Sequence, residues 1–119
     1  MRTVEFPPPA PPWSTNQDRN LSPYERAARI KVWKEATYWV AIPLRTHDPV
    51  PLLVTVTIPF TQNRRRDPHN YCGTVLKAII DGLVHAGVVP DDTPEWIGHR
   101  EPRLVKGGDV IVELEDLHA

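Results

Sequence analysis

The residues of this chain best suited to chemistry lie between Arg64 and Asp92. Arg64-Arg65-Arg66-Asp67-Pro68-His69-Asn70 sets three cations before a carboxylate and an imidazole. An apolar stretch then carries Lys77 and Asp81, and Val88-Val89-Pro90-Asp91-Asp92 closes with a carboxylate pair. Two carboxylates with waters make a Mg²⁺ site, because that ion prefers oxygen ligands, keeps much of its hydration and is completed by substrate phosphate oxygens. Such an ion polarises a phosphodiester and helps ionise an attacking water, while a nearby lysine stabilises charge on the transition state or leaving oxygen. This is the chemistry of a small metal-dependent enzyme acting on a phosphate polymer. His69 fits a ligand, a proton carrier or neither, and Asp91-Asp92 after a proline is also the composition of a solvated turn.

A helix must carry Lys77. Gly87 reads as its C-cap, and Thr74 as its N-cap because Gly73 weakens a helix interior, so the sequence predicts a helix over 74–86. At about 100° per residue, Val75, Leu76, Ile79, Ile80 and Leu83 share one face and Thr74, Lys77 and Asp81 the opposite one. An ordinary amphipathic helix with a solvated stripe shows the same pattern. That helix is about 18 Å long, and the steps from Gly87 to Asp92 span about 17 Å when extended. If the segment turns back, Asp92 reaches the first helical turn, where it meets Lys77 and, in the loop just before, Asp67 and His69. Asp81 stands about a turn further on, in a supporting position.

The remaining chain must frame this region. Arg2-Thr3-Val4-Glu5-Phe6 alternates as a short strand with Val4 and Phe6 inward, and Pro7 stops it. The run Pro7 to Trp13 reads as an extended polyproline-type connector, a composition that proline-recognising domains also bind, and Ser14 to Arg19 as a polar loop. Residues 7–20 together form a connecting loop. Ser22-Pro23-Tyr24-Glu25 has the pattern of an N-cap, a first-turn proline and a capping box, opening a basic helix to about Val40. Its apolar surface comes from Ala27, Trp33, Ala36, Trp39 and Val40. Leu52 to Ile58 is a strand rich in β-branched residues, ended by Pro59. Trp96 to Leu104 and Asp109 to Glu115 flank Lys106-Gly107-Gly108 as a β-hairpin, with Val110, Val112 and Leu114 inward. The expected architecture is α+β: a single domain over 1–119, a small mixed or antiparallel sheet of about four strands, and two main helices on one face.

Length and composition narrow the rest. At 119 residues the chain can bury one core, and a partner subunit would help bury surface. The net charge of −1 conceals an asymmetry: residues 1–66 hold ten Lys/Arg against five Asp/Glu, and residues 67–119 hold four against ten. An anionic ligand held by one half and a cation by the other suits this division, as do two halves merely solvated with opposite signs. Cys72 is the only cysteine, which excludes an intrachain disulfide and a thiolate metal cage. No apolar run approaches the roughly 20 residues of a membrane span. A soluble cytoplasmic protein with no membrane partner is expected.

The order of these motifs resembles the RusA-type Holliday junction resolvases, in an actinobacterial or phage-like variety. The resemblance covers Arg64 to about Glu115. It is carried by Arg64-Arg65-Arg66-Asp67-x-x-Asn70, by Lys77-Ala78-x-x-Asp81-Gly82-Leu83-x-x-Ala86-Gly87-Val88-x-x-Asp91-Asp92, and by Lys106-Gly107-Gly108. Phe6-Pro7-Pro8 and Ser14-x-Asn16 are similar to the family's opening strand and polar loop. The resemblance implies a homodimeric, Mg²⁺-dependent endonuclease, with Mn²⁺ as a substitute ion, that cuts branched four-way DNA junctions by paired nicks in recombination and repair. It places catalytic roles on Asp67, His69, Lys77 and Asp92, metal ligation on Asp67, Asp91 and Asp92, and DNA contacts on Asn16, Arg64, Arg65, Arg66 and Asn70. Two departures stand out: His69 replaces an aspartate, and about four more residues separate Asn70 from Lys77. A non-catalytic branched-DNA binding protein with a degenerate metal site is the alternative.

Overall fold

A computed structural model of the chain describes residues 1–118. Five strands form one mixed sheet: β1 (Arg2–Phe6), β2 (Leu52–Phe60), β3 (Ile97–His99), β4 (Arg103–Lys106) and β5 (Val110–Asp116). The spatial order is β1-β5-β2-β3, with β4 further along the same edge of β2 as β3. β5 is antiparallel to both β1 and β2, whereas β3 and β4 run parallel to β2. Parallel neighbours require a long crossover. That crossover is the segment from Thr61 to Trp96, which contains the candidate site.

The sheet corrects the hairpin expectation. β4 and β5 do not pair with each other; both pair with β2, on opposite edges. Gly107 and Gly108, with φ of 71° and 91°, carry the chain around the end of β2, and the Gly107 N–H donates to the Phe60 carbonyl at 2.8 Å. The glycines serve a crossing over a third strand, which uses the same local conformations as a hairpin turn. β2 also runs through Pro59. Even-numbered β2 residues direct their backbone groups toward β3 and β4, as Val54 and Phe60 show, so Pro59 turns its missing donor toward β5. There the β5 pairing has already ended at Thr57–Ile111, and no ladder bond is lost.

Between β3 and β4 the register slips by one residue. His99 lies opposite Val54 and Arg103 opposite Thr57, so β2 has two residues where its partner has three. This bulge moves Arg103 to the solvent face of the sheet. From there Arg103 pairs with Glu113 at 3.3 Å and Arg100 with Glu115 at 2.8 Å, both across β2.

The opposite face is the core side, where Val4, Phe6, Leu52, Val54, Val56, Ile58, Val110, Val112 and Leu114 are buried. Two helices cover it: α2 (Pro23–Ala41) and α3 (Lys77–Ala86). α2 starts as expected, with Ser22 and Glu25 in a reciprocal capping box and Pro23 in the first turn. Of its expected apolar residues, Trp33 is buried and stacks edge-on to Phe6 at 6.3 Å, but Trp39 is 70% exposed and Ala27 is also exposed. Thr37 and Ala41 fill the buried row instead.

α2 and α3 cross at Gly82, where a Cβ would lie 2.7 Å from the Lys34 carbonyl oxygen and 2.7 Å from Thr37 Cβ. The expected polar loop after Trp13 is in part a one-turn helix, α1 (Thr15–Asp18), closed by a Ser14–Gln17 capping box. Among the described residues, no helix is long and apolar enough to cross a membrane.

Candidate active site

The helical path through the site starts earlier than expected and is less regular. Asp67 caps a 3₁₀ turn, Pro68–Tyr71, its carboxylate accepting the His69 N–H at 3.0 Å. A π turn follows over Cys72–Leu76, and regular α-helix begins only at Lys77. Thr74 is therefore not a cap, nor is it on the solvent stripe. It is buried, and its hydroxyl donates to the Trp13 carbonyl at 2.6 Å. The extra residues between Asn70 and Lys77 are wound into these wide and tight turns rather than held in a loop. Val75, Leu76, Ile79, Ile80 and Leu83 face the core as the periodicity requires.

α3 ends in a Schellman motif. Gly87 adopts φ 84°, its N–H donates to the Val84 carbonyl at 3.0 Å, and the Val88 N–H donates to the Leu83 carbonyl at 3.1 Å. Arg45 Nε adds a bond to the Ala86 carbonyl at 2.9 Å. Val88 and Val89 are buried, which fixes the direction of the return. Asp92 comes back to the head of α3, as its reach allowed: Lys77 Nζ lies 3.6 Å from Asp92 Oδ2 and 3.8 Å from Asp81 Oδ1. Lys77 thus stands between two carboxylates, and Asp81 is as close a partner as Asp92. With Lys77 60% and Asp92 43% exposed, such a pair adds only about 0–1 kcal/mol to stability. The arrangement orients charge at the surface more than it holds the fold.

The N-terminal connector braces the same region. Thr15 Oγ1 donates to the Asn70 carbonyl at 3.1 Å, which brings α1, and with it Asn16, to the 3₁₀ turn. Trp13 is buried with its Nε1 on Asp18 Oδ1 at 3.1 Å, and Asp18 in turn pairs with Arg26 at 2.9 Å. Arg64 and Arg65 are exposed, whereas Arg66 is half-buried over the Phe60 ring. His69 is exposed.

No family model and no curated protein matches this chain.

The carboxylates expected to bind metal are oxygen donors at the surface, the ligand type a hard cation takes. Asp67 accepts one N–H, and Asp91 Oδ1 accepts the Asp92 N–H at 2.7 Å, so each keeps free lone pairs. Among the described residues, no three His, Cys, Asp or Glu side chains are grouped closely enough to form a complete cage. Asp67, Asp91 and Asp92 are thus not drawn into one ligand set. The donor chemistry fits an ion that keeps several waters and takes phosphate oxygens.

Two features were not read from the sequence. Burial pushes the Cys72 thiol up, and the negative charges of Glu101 and Asp67 push it further, so both carboxylates act on the same point. Glu101 sits in the bulge between β3 and β4, and no local motif marks it. The second is a cavity of about 620 Å³ beside the arginine run, with Phe60, Tyr71 and Arg66 in its lining.

Proposed function

We propose that this protein is a RusA-type, Mg²⁺-dependent endodeoxyribonuclease that resolves four-way DNA junctions by paired nicks, acting as a homodimer. The observation that carries the reading is Lys77 held between Asp92 and Asp81 at the head of α3, directly after the segment that bears Asp67 and the three arginines. A phosphodiester approaching this surface meets Arg64 and Arg65 as exposed cations shortly before Asp67 in the chain. Lys77 Nζ has one face turned to solvent and offers its protons to a phosphate oxygen or a departing 3′ oxygen. Asp92 and Asp81 keep that ammonium aimed.

Asp67, Asp91 and Asp92 are the residues that would hold Mg²⁺, with substrate binding drawing Asp67 and the Asp91-Asp92 pair together around it; when bound, the ion supplies Lewis-acid polarisation of the phosphate and a more acidic water. His69 donates its backbone N–H to Asp67 and presents an exposed imidazole beside it. Two cuts in opposed strands call for two such sites, which a two-fold dimer presents most simply.

The test is cleavage of an immobile four-way junction and a matched linear duplex, with Mg²⁺ or chelator, by wild type and Asp92→Asn. Paired nicks in the junction alone, requiring Mg²⁺ and lost in the variant, are expected. Because His69 stands where the resemblance has an aspartate, the second reading is a branched-DNA binding protein without cleavage. Tight junction binding with no nicking in Mg²⁺ or Mn²⁺ would favour it.

A further inference from the structure

The cavity beside the arginine run lies at the end of β2, between the proline-rich connector and the Gly107–Gly108 turn. Its volume of about 620 Å³ is within the range of small-ligand sites. Phe60 and Tyr71 form an edge-to-face pair at 5.3 Å, and the Arg66 guanidinium carbon lies over the Phe60 ring, 3.9 Å from its centroid. Arg66 Nη1 is also tied to the backbone, donating to the Gln62 carbonyl at 3.0 Å and the Arg64 carbonyl at 3.3 Å. Arg65 is exposed and stands outside the cavity lining, whereas Arg64 and Arg66 both belong to it. Arg66 is fixed as a plane, with one face on an aromatic ring and an edge on carbonyl groups. Pro8, Pro11 and Pro59 supply apolar walls. Gly107 and Gly108 belong to the lining as well, and a Cβ built on either meets nothing within 4 Å.

We infer that this cavity receives one unstacked nucleobase of a DNA strand, lying on the free face of the Arg66 guanidinium while Arg64 and Arg65 hold the flanking phosphates. Unpaired bases stack on arginine planes as well as on aromatic rings. A paired base must first be unpaired and unstacked, at a cost of a few kcal/mol, so the cavity favours strands that are already open, as at a branch point. Arg66 immediately precedes Asp67, which sets the base within a few nucleotides of the phosphate facing Asp67 and Lys77. Base contacts at this place would give cleavage its sequence preference. The inference takes the identity of the polymer from the nuclease reading.

The experiment uses the full chain in chelator, with a short single-stranded oligothymidylate carrying one central 2-aminopurine and the same oligonucleotide with an abasic residue at that position. Wild type is expected to raise the 2-aminopurine emission, because the base leaves its stacked neighbours for a guanidinium, and to bind the abasic strand about tenfold or more weakly, the range of one stacked base. Arg66→Met, which keeps the apolar stem, and Ala10→Phe, which fills the cavity from its proline wall, are each expected to abolish the rise while melting near the wild-type temperature. Equal binding of both strands without a rise overturns the proposal. So does a rise retained in folded Ala10→Phe, even if junctions are still nicked in an Asp92-dependent way. A rise that depends on Arg66 in a protein that cuts no junction supports the cavity and removes the nuclease reading instead.

Discussion

Gly82→Ala tests whether the α2–α3 crossing holds Lys77 where the site needs it. In an open helix this change stabilises by about 1 kcal/mol, since alanine is the better helix former. Here the added methyl would lie 2.7 Å from the Lys34 carbonyl oxygen and 2.7 Å from Thr37 Cβ, about 0.7 Å inside the 3.4 Å at which ordinary contact begins. Neither atom belongs to the end of a flexible side chain, so no rotamer change relieves the overlap. The two helices must separate along a contact that is buried on both sides. Overpacking of this kind costs about 1–3 kcal/mol, and two rigid collisions on one side put it at the upper end, about 3. The net expectation is a loss of about 2 kcal/mol, or roughly 6–10 °C in a chain of this size. Thermal unfolding followed by circular dichroism reads it directly. A melting temperature equal to or above wild type would mean that the helix preference prevails and that the close crossing is not as described.

Other outcomes follow from the surroundings of the site. Thr74→Val keeps the shape but leaves the buried Trp13 carbonyl without the Thr74 hydroxyl; urea unfolding should show a loss of about 1–3 kcal/mol, and limited proteolysis should cut faster within residues 7–14. Cys72 should alkylate more slowly than a free thiol at pH 8, because burial and then the charges of Glu101 and Asp67 raise its pKa. Asp67→Asn and Glu101→Gln should each quicken that reaction, and an unchanged rate in either would separate that carboxylate from Cys72. The sign for stability follows: a thiol raised above its unfolded value of about 9.0 favours folding below that pH and loses the contribution as pH rises through the folded pKa.

The parts of the fold that follow from short-range chemistry were legible. The Ser22–Glu25 box, the Gly87 cap and the alternation of β1, β2 and β5 depend on residues that are neighbours in sequence, and each is where its pattern requires. The hairpin was misread because a pair of glycines reports a change of direction and not which strand lies across from which. β2 lies between the two strands, a pairing between segments distant in sequence that no local pattern specifies. The head of α3 was misread for a related reason. Thr74 has the chemistry of a cap, but its hydroxyl found the carbonyl of Trp13, distant in sequence, and the cap role passed to Asp67. Trp39 has the hydrophobicity of a core residue, yet Trp33, Thr37 and Ala41 already occupy the buried row of α2.

The site shows the same division, with one instructive exception. That Asp92 could meet Lys77 followed from the length of α3 and the reach of a short return, and the distance of 3.6 Å is consistent with that reach. Whether it would do so depended on Val88 and Val89 going into the core, since a return exposed to solvent has no reason to fold back. The hydrophobic pair between Gly87 and Pro90 thus positions a polar residue with which it shares no chemistry. The same logic accounts for Arg66. As the last of three arginines in sequence it is indistinguishable from the others, and only the end of β2 beneath it, where Phe60 offers a ring and Gln62 a carbonyl, turns it from a mobile cation into a fixed plane. A run of identical residues is therefore divided by its surroundings, with Arg66 held over a ring and Arg65 left exposed.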